Sequence, residues 1–136
     1  VHLQSWPKAR NDWRNPEIAS AIDKLLEIRT QVNEKLEILR QEKSIGQSLE
    51  ASVSIFANPA SEEFMLLKKF ERHLAELFIV SRVSISDQTD SRETLRVEAE
   101  KITGERCPRC WRWLADLVDY RDESRLCARC RDSMDG

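Results

Sequence analysis

With 136 residues, 40% apolar and 34% charged, the chain has room for one ordinary domain or two small ones, well folded but rich in exposed surface. No apolar run approaches the roughly 18 residues needed to cross a bilayer, so a membrane-spanning helix is excluded. The net charge of −2 excludes nucleic-acid binding through overall charge, and any such role must rest on where individual basic groups are placed.

The chain opens Val1-His2-Leu3 without a methionine, which reads as a segment cut from something longer. Residues 1–15 lack sustained periodicity and are interrupted by Pro7, so they predict an extended arm whose Trp6 and Trp13 pack on the body. Stacking of either ring on a nucleic-acid base is the alternative.

Asn15-Pro16-Glu17 is a helix start: an N-cap, proline at the first helical position and an acid in the first turn. Ile45-Gly46 predicts the stop, with glycine in the left-handed position. Between them Ile18, Ile22, Leu25, Arg29, Val32, Leu36 and Leu39 recur at spacings of four and three, a heptad-like seam broken by Arg29. Leu26, Ile28 and Ile38 widen the stripe, so the helix reads as one member of a bundle whose partners are not in this chain. Part of its apolar face should then be exposed. Arg29 is expected to pair with a carboxylate or to snorkel to the edge.

Ser48–Phe56 alternates, with Leu49, Ala51, Val53 and Ile55 on one face, and predicts a half-buried strand. Asn58-Pro59 and Ser61-Glu-Glu open a second helix carrying Phe64, Leu67, Phe70 and Leu74. His73 on that helix reads as a surface histidine. Leu77–Val80 with Val83 and Ile85 reads as a second strand, Ser86–Glu93 as a polar loop, and Leu95, Val97 and Ala99 as a third strand. Together they make a β-α-β-β unit, one helix on three strands.

The chain's four cysteines fall in two pairs, Cys107-Pro-Arg-Cys110 and Cys127-Ala-Arg-Cys130, with sixteen residues between. That is the spacing of a four-thiolate zinc site. Two intervening residues let one turn point both sulfurs at an ion, and a hairpin brings the second turn opposite. With every position taken by protein, no site remains for water, so the ion would be structural. Four thiolates around one divalent ion would take the net charge from −2 to −4. Two disulfides and a rubredoxin-like iron site are the alternatives. Arg109 and Arg129 lie inside the two turns, with Arg106, Arg112 and Arg131 close by; arginine's planar fork suits phosphate. Trp111 and Trp113 follow the first turn. One is expected to cover the metal site and the other to offer a face to a base. Arg109, Trp111, Arg112, Trp113, Arg129 and Arg131 are thus candidate RNA contacts, and a merely solvated set of charges remains the other reading, since seven acids share the segment.

The expected architecture is α+β. An arm and long bundle-type helix occupy 1–47, a small β-α-β-β unit 48–103, and a C-terminal four-cysteine zinc ribbon or finger 104–136.

Three pieces together resemble the C-terminal end of bacterial-type isoleucyl-tRNA synthetases. The first is Val1-His2-Leu3 with Trp6-Pro7. The second is the run from Arg29, Val32, Asn33, Leu36, Glu37, Arg40 and Lys43 to Ile45-Gly46 and Ser48-Leu49-Glu50-Ala51. The third, and the most specific, is Cys107-Pro-Arg-Cys110-Trp111 with Leu126-Cys127-Ala-Arg129-Cys130. The short ending at Gly136 and Trp113 depart from that pattern. The resemblance implies a tRNA-binding fragment of a cytoplasmic, monomeric, ATP-dependent ligase that joins isoleucine to its tRNA. The fragment would lie along the anticodon stem-loop beside the remainder of the synthetase chain and hold one structural Zn²⁺. It carries neither the HIGH-type and KMSKS-type motifs of the family's catalytic domain nor its editing domain. Two other classes compete: the C-terminal zinc finger of a formamidopyrimidine-type DNA glycosylase, and a zinc-stabilised protein-interaction module docking through helix 16–45.

Overall fold

In a computed structural model of the chain, residues 5–87, 95–121 and 124–135 are described. Val1-His2-Leu3, most of the polar loop at 86–93 and Gly136 lie outside them.

The N-cap expected at Asn15 forms. Its side-chain oxygen accepts the Ile18 N–H at 3.1 Å and Pro16 takes the first helical position, opening α1 (Pro16–Gln41). The stop comes earlier than Gly46. Lys43 adopts the left-handed conformation (φ 57°), while the Ser44 N–H donates to Leu39 O and the Lys43 N–H to Arg40 O, both at 2.9 Å. These are the paired bonds of a Schellman cap. They turn the chain so that Ile45 enters the core, and that burial outweighs the cost of a left-handed lysine.

After a single 3₁₀ turn at Ser48–Glu50 the chain enters β1 (Ala51–Ala57). Asn58 then accepts the Ala60 N–H at 2.9 Å, and Ser61 caps α2 (Glu62–Lys69) by accepting the Phe64 N–H at 3.1 Å. The single helix expected here is two. Phe70 (φ −104°, ψ 12°) leaves the helical region, and α3 (Glu71–Phe78) follows. Leu77–Val80 is not strand: Leu77 and Phe78 finish α3 and Ile79 turns left-handed (φ 58°, ψ 46°) before β2 (Arg82–Asp87). A short apolar run is ambiguous by periodicity alone, and here the burial of Leu74 and Phe78 on one face decides for helix. A β-branched residue at positive φ is strained. Ile79 is also half exposed. Ile79→Gly is therefore expected to stabilise the chain by about 1 kcal/mol in urea unfolding.

β3 (Leu95–Lys101) completes a sheet of order β2-β1-β3, β1 running parallel to β2 and antiparallel to β3. Val53 and Ile55 of β1 and Val97 of β3 share one core cluster with Leu25, Ile28, Val32 and Leu36 of α1 and with Leu67, Leu74 and Phe78 of α2 and α3. Alternation puts those strand residues on a single face, so all three helices cover that face. The long helix thus packs one stripe on the sheet. Its buried residues follow a 3, 4, 4 spacing, the stripe of a helix on a flat partner, while Ile18, Leu26 and Ile38 stay exposed. The opposite sheet face is polar: Ser54 and Ser84 hydroxyls lie 3.0 Å apart, and Arg96 sits 4.6 Å over the Phe56 ring.

Neither arm tryptophan packs on the body as expected. Trp6 is 93% and Trp13 69% exposed, with Arg10 stacked 5.5 Å over the Trp13 ring. Arg29 is half buried in the helix, and its Nε has no hydrogen-bond partner among the described residues. No helix among them is long and apolar enough to cross a membrane.

The cysteine segment contributes two small hairpins and a helix. β4 (Glu105–Arg106) pairs with β5 (Trp113–Leu114), β6 (Val118–Tyr120) with β7 (Ser124–Leu126), and α4 (Ala128–Asp135) closes it. Gly104 enters at φ 153°, where a Cβ would stand 2.3 Å from Leu114 O, so the close approach of the first hairpin requires glycine.

Candidate metal centre

The first C-x-x-C turn is closed by two backbone bonds. The Trp111 N–H donates to Cys107 O at 2.8 Å and the Cys107 N–H to Arg112 O at 2.9 Å. Trp111 is left-handed (φ 64°), which swings the chain back into β5. The second pair straddles the start of α4, where the Arg131 N–H donates to Cys127 O at 3.0 Å. The two turns face each other. The Cys127 N–H lies 3.5 Å from Cys107 Sγ, Cys110 Sγ and Cys127 Sγ are 3.7 Å apart, and all four sulfurs lie within 4.8 Å of one another.

That spacing is diagnostic. A disulfide needs its sulfurs at about 2.05 Å. A tetrahedron with metal–sulfur bonds of about 2.3 Å has edges near 3.8 Å. The cysteines are free, one sulfur pair stands at the tetrahedral edge length and all four lie close together, so the group could hold one metal ion. Its cover is aliphatic. Leu117 and Leu126, with Leu114 and Tyr120 beside them, pack on the cysteines; neither Trp111 nor Trp113 belongs to this cluster. The expectation that a tryptophan would shield the centre fails because the hairpins turn leucines inward over the sulfurs.

Without a cation the four thiols cannot all ionise. Burial opposes the Cys107 thiolate, but the backbone N–H groups of Cys110, Cys127 and Arg109 oriented toward its sulfur outweigh it and bring it down to about 6. Burial, reinforced by the neighbouring sulfurs of Cys127 and Cys110, pushes Cys130 up to about 12; burial also raises Cys127. At pH 7.5 the metal-free centre therefore keeps protons on Cys127 and Cys130 that a metal must displace. Metal uptake is expected to release protons, these two among them, and affinity to fall as pH falls. Calorimetric titration in buffers of differing ionisation enthalpy counts those protons.

The candidate RNA contacts divide. Arg109 Nη1 donates to Cys130 O at 3.1 Å, bracing the second turn. Arg129 pairs with Glu76 of α3, and Arg112, largely buried, lies 3.7 Å from the same Glu76 oxygen. Arg131 pairs with Asp132 at 2.8 Å. Trp111 is half exposed with Arg106 stacked 5.3 Å over its ring, while Trp113 is half buried in β5. His73 is exposed on α3. Sequence reading missed Glu76 and Ser81. Nothing in the sequence marks Glu76 among the acids, but a serine following the apolar run Leu77–Val80 was a legible signal.

No protein-family model matches the chain. Curated relatives do. The chain is 38% identical to the isoleucine–tRNA ligase of Syntrophotalea carbinolica over 96% of its own length, and 36% identical to that of Brachyspira hyodysenteriae over 98%. The Thermotoga maritima isoleucine–tRNA ligase is 35% identical over 96%. The chain belongs to the isoleucine–tRNA ligase family. It spans 14–15% of the length of these ligases. Because nearly the whole chain is matched, the likeness to the ligases takes in helix, sheet and cysteine turns alike.

Proposed function

We propose that the chain is the tRNA-binding C-terminal region of a cytoplasmic, monomeric, ATP-dependent isoleucine–tRNA ligase, contacting the anticodon stem-loop while the remainder of the ligase performs the chemistry. In this reading 1–47 is an arm and the last helix of the anticodon-binding part, 48–103 a junction and 104–136 the zinc module. The observation that carries it is the match to isoleucine–tRNA ligases along nearly the full chain, joined to four cysteine sulfurs within 4.8 Å of one another.

Cys107, Cys110, Cys127 and Cys130 would hold one Zn²⁺. A closed thiolate shell leaves no position for water, so the ion supplies rigidity and no reaction step. The module offers an exposed Trp111 for stacking on an unpaired base, with Arg109, Arg129 and Arg131 and the less exposed Arg112 for phosphates, and Trp113 half buried beside them. Single-stranded loops expose the base faces and edges that such groups read.

In the whole ligase, Arg109→Ala and Trp111→Ala are expected to raise the tRNA KM about five- to tenfold, roughly the loss of one stacking or charge-assisted contact, with the ATP KM unchanged. An unchanged tRNA KM in both variants would reject the RNA-contact reading.

A further inference from the structure

Among the described residues, side-chain polar contacts join the cysteine segment to the helix–sheet unit at two places. Ser81, 5% exposed between α3 and β2, donates its hydroxyl proton to Leu49 O at 2.5 Å and accepts the Trp113 N–H at 2.7 Å. One hydroxyl thus ties β5 to the turn before β1, using its single proton and a lone pair. The second place is Glu76, whose Oε1 takes Arg129 and lies 3.7 Å from Nη2 of Arg112. Arg112 follows the first cysteine turn and Arg129 lies inside the second. Those turns are held opposite each other through the four-sulfur centre. Both guanidinium groups can therefore converge on one carboxylate when both turns are closed around the same point.

We infer that Glu76 and Ser81 are positioning residues for RNA recognition: they hold the metal module at one angle to the helix–sheet unit and present Arg112 and Arg129 as a preset pair to a phosphodiester. This rests on the tRNA-binding reading above, although neither residue needs to touch RNA. Two opposed effects meet at Glu76. Its negative charge repels a phosphate, yet it also removes the rotamer freedom of two long side chains before the phosphate arrives. The carboxylate is half exposed, so solvent and salt screen its repulsion. Two arginines against one glutamate still leave a positive pair. Positioning wins.

The test has two readouts. Residual dipolar couplings of backbone amides in the zinc-loaded chain are expected to fit one alignment frame for 51–87, 95–101 and 105–121, and to need two frames in Ser81→Ala and in Glu76→Ala. A single unchanged frame in both variants overturns the inference without reference to RNA. In the whole ligase, the same two variants are expected to raise the tRNA KM about fivefold, the effect of roughly one lost contact, with zinc content and ATP KM unchanged. A lower tRNA KM in Glu76→Ala would show that charge repulsion dominates and would also overturn it. If Ser81→Ala loses its metal, the surface variant Glu76→Ala carries the test alone. Should Arg109→Ala and Trp111→Ala leave the tRNA KM unchanged while the dipolar couplings still split, the RNA reading fails and the mechanical role of the clasp stands.

Discussion

Cys110→Ser or Cys127→Ser is expected to unfold residues 104–136 and leave the rest of the chain folded. The segment's own core is five buried residues, three of them cysteines, with Cys110, Leu114 and Tyr120 at the edge. A cluster that small cannot offset the conformational entropy of thirty-odd ordered residues at about 1–2 kcal/mol each. A structural zinc ion in a thiolate site supplies on the order of 10–16 kcal/mol, and removing one ligand forfeits much of it. The helix–sheet core shares no buried residue with this cluster. Amide exchange after chelation, and in each variant, checks the split: protection should vanish in β4 through α4 and persist in α1 and β1. The Trp113 amide, bonded to Ser81, should become exchangeable with the module. Protection surviving there without metal would contradict the claim.

Phe78→Ala is expected to cost about 3–5 kcal/mol, the range for truncating a buried aromatic. Phe78 is the largest fully buried side chain in the described residues and ends α3 in the same cluster as Leu25 and Val32 of α1 and Val53 of β1. Because one core joins the long helix to the sheet, the variant should lower the urea midpoint of helix and sheet signals together. Separate transitions would mean that α1 has a core of its own. The surface control is Trp6→Ala, which removes a larger ring yet should shift stability by less than about 0.5 kcal/mol, since that ring is almost wholly in solvent.

The contrast between Phe78 and Trp6 shows where sequence reading holds and where it stops. Helix starts were legible because a cap is a local affair: Asn15 and Ser61 each satisfy an N–H three residues on, whatever lies elsewhere. The alternation of Leu95, Val97 and Ala99 found β3 for the same reason. Leu77–Val80 misled because an apolar run says that residues are buried without saying by what. Trp6 and Trp13 misled because aromatic character alone does not supply a surface to pack on.

By itself, the sequence determined the α+β class, the starts of α1 and α2, and the meeting of four cysteines. Each of these depends on groups a few residues apart or on ligand chemistry that tolerates no substitute. Only the tertiary structure decided that α1 lies on a sheet, that leucines and not tryptophans shield the sulfurs, and that Glu76 and Ser81 clasp the module. The clasp pairs residues more than thirty positions apart, and in all three outcomes burial and hydrogen-bond satisfaction, not local pattern, select the partner.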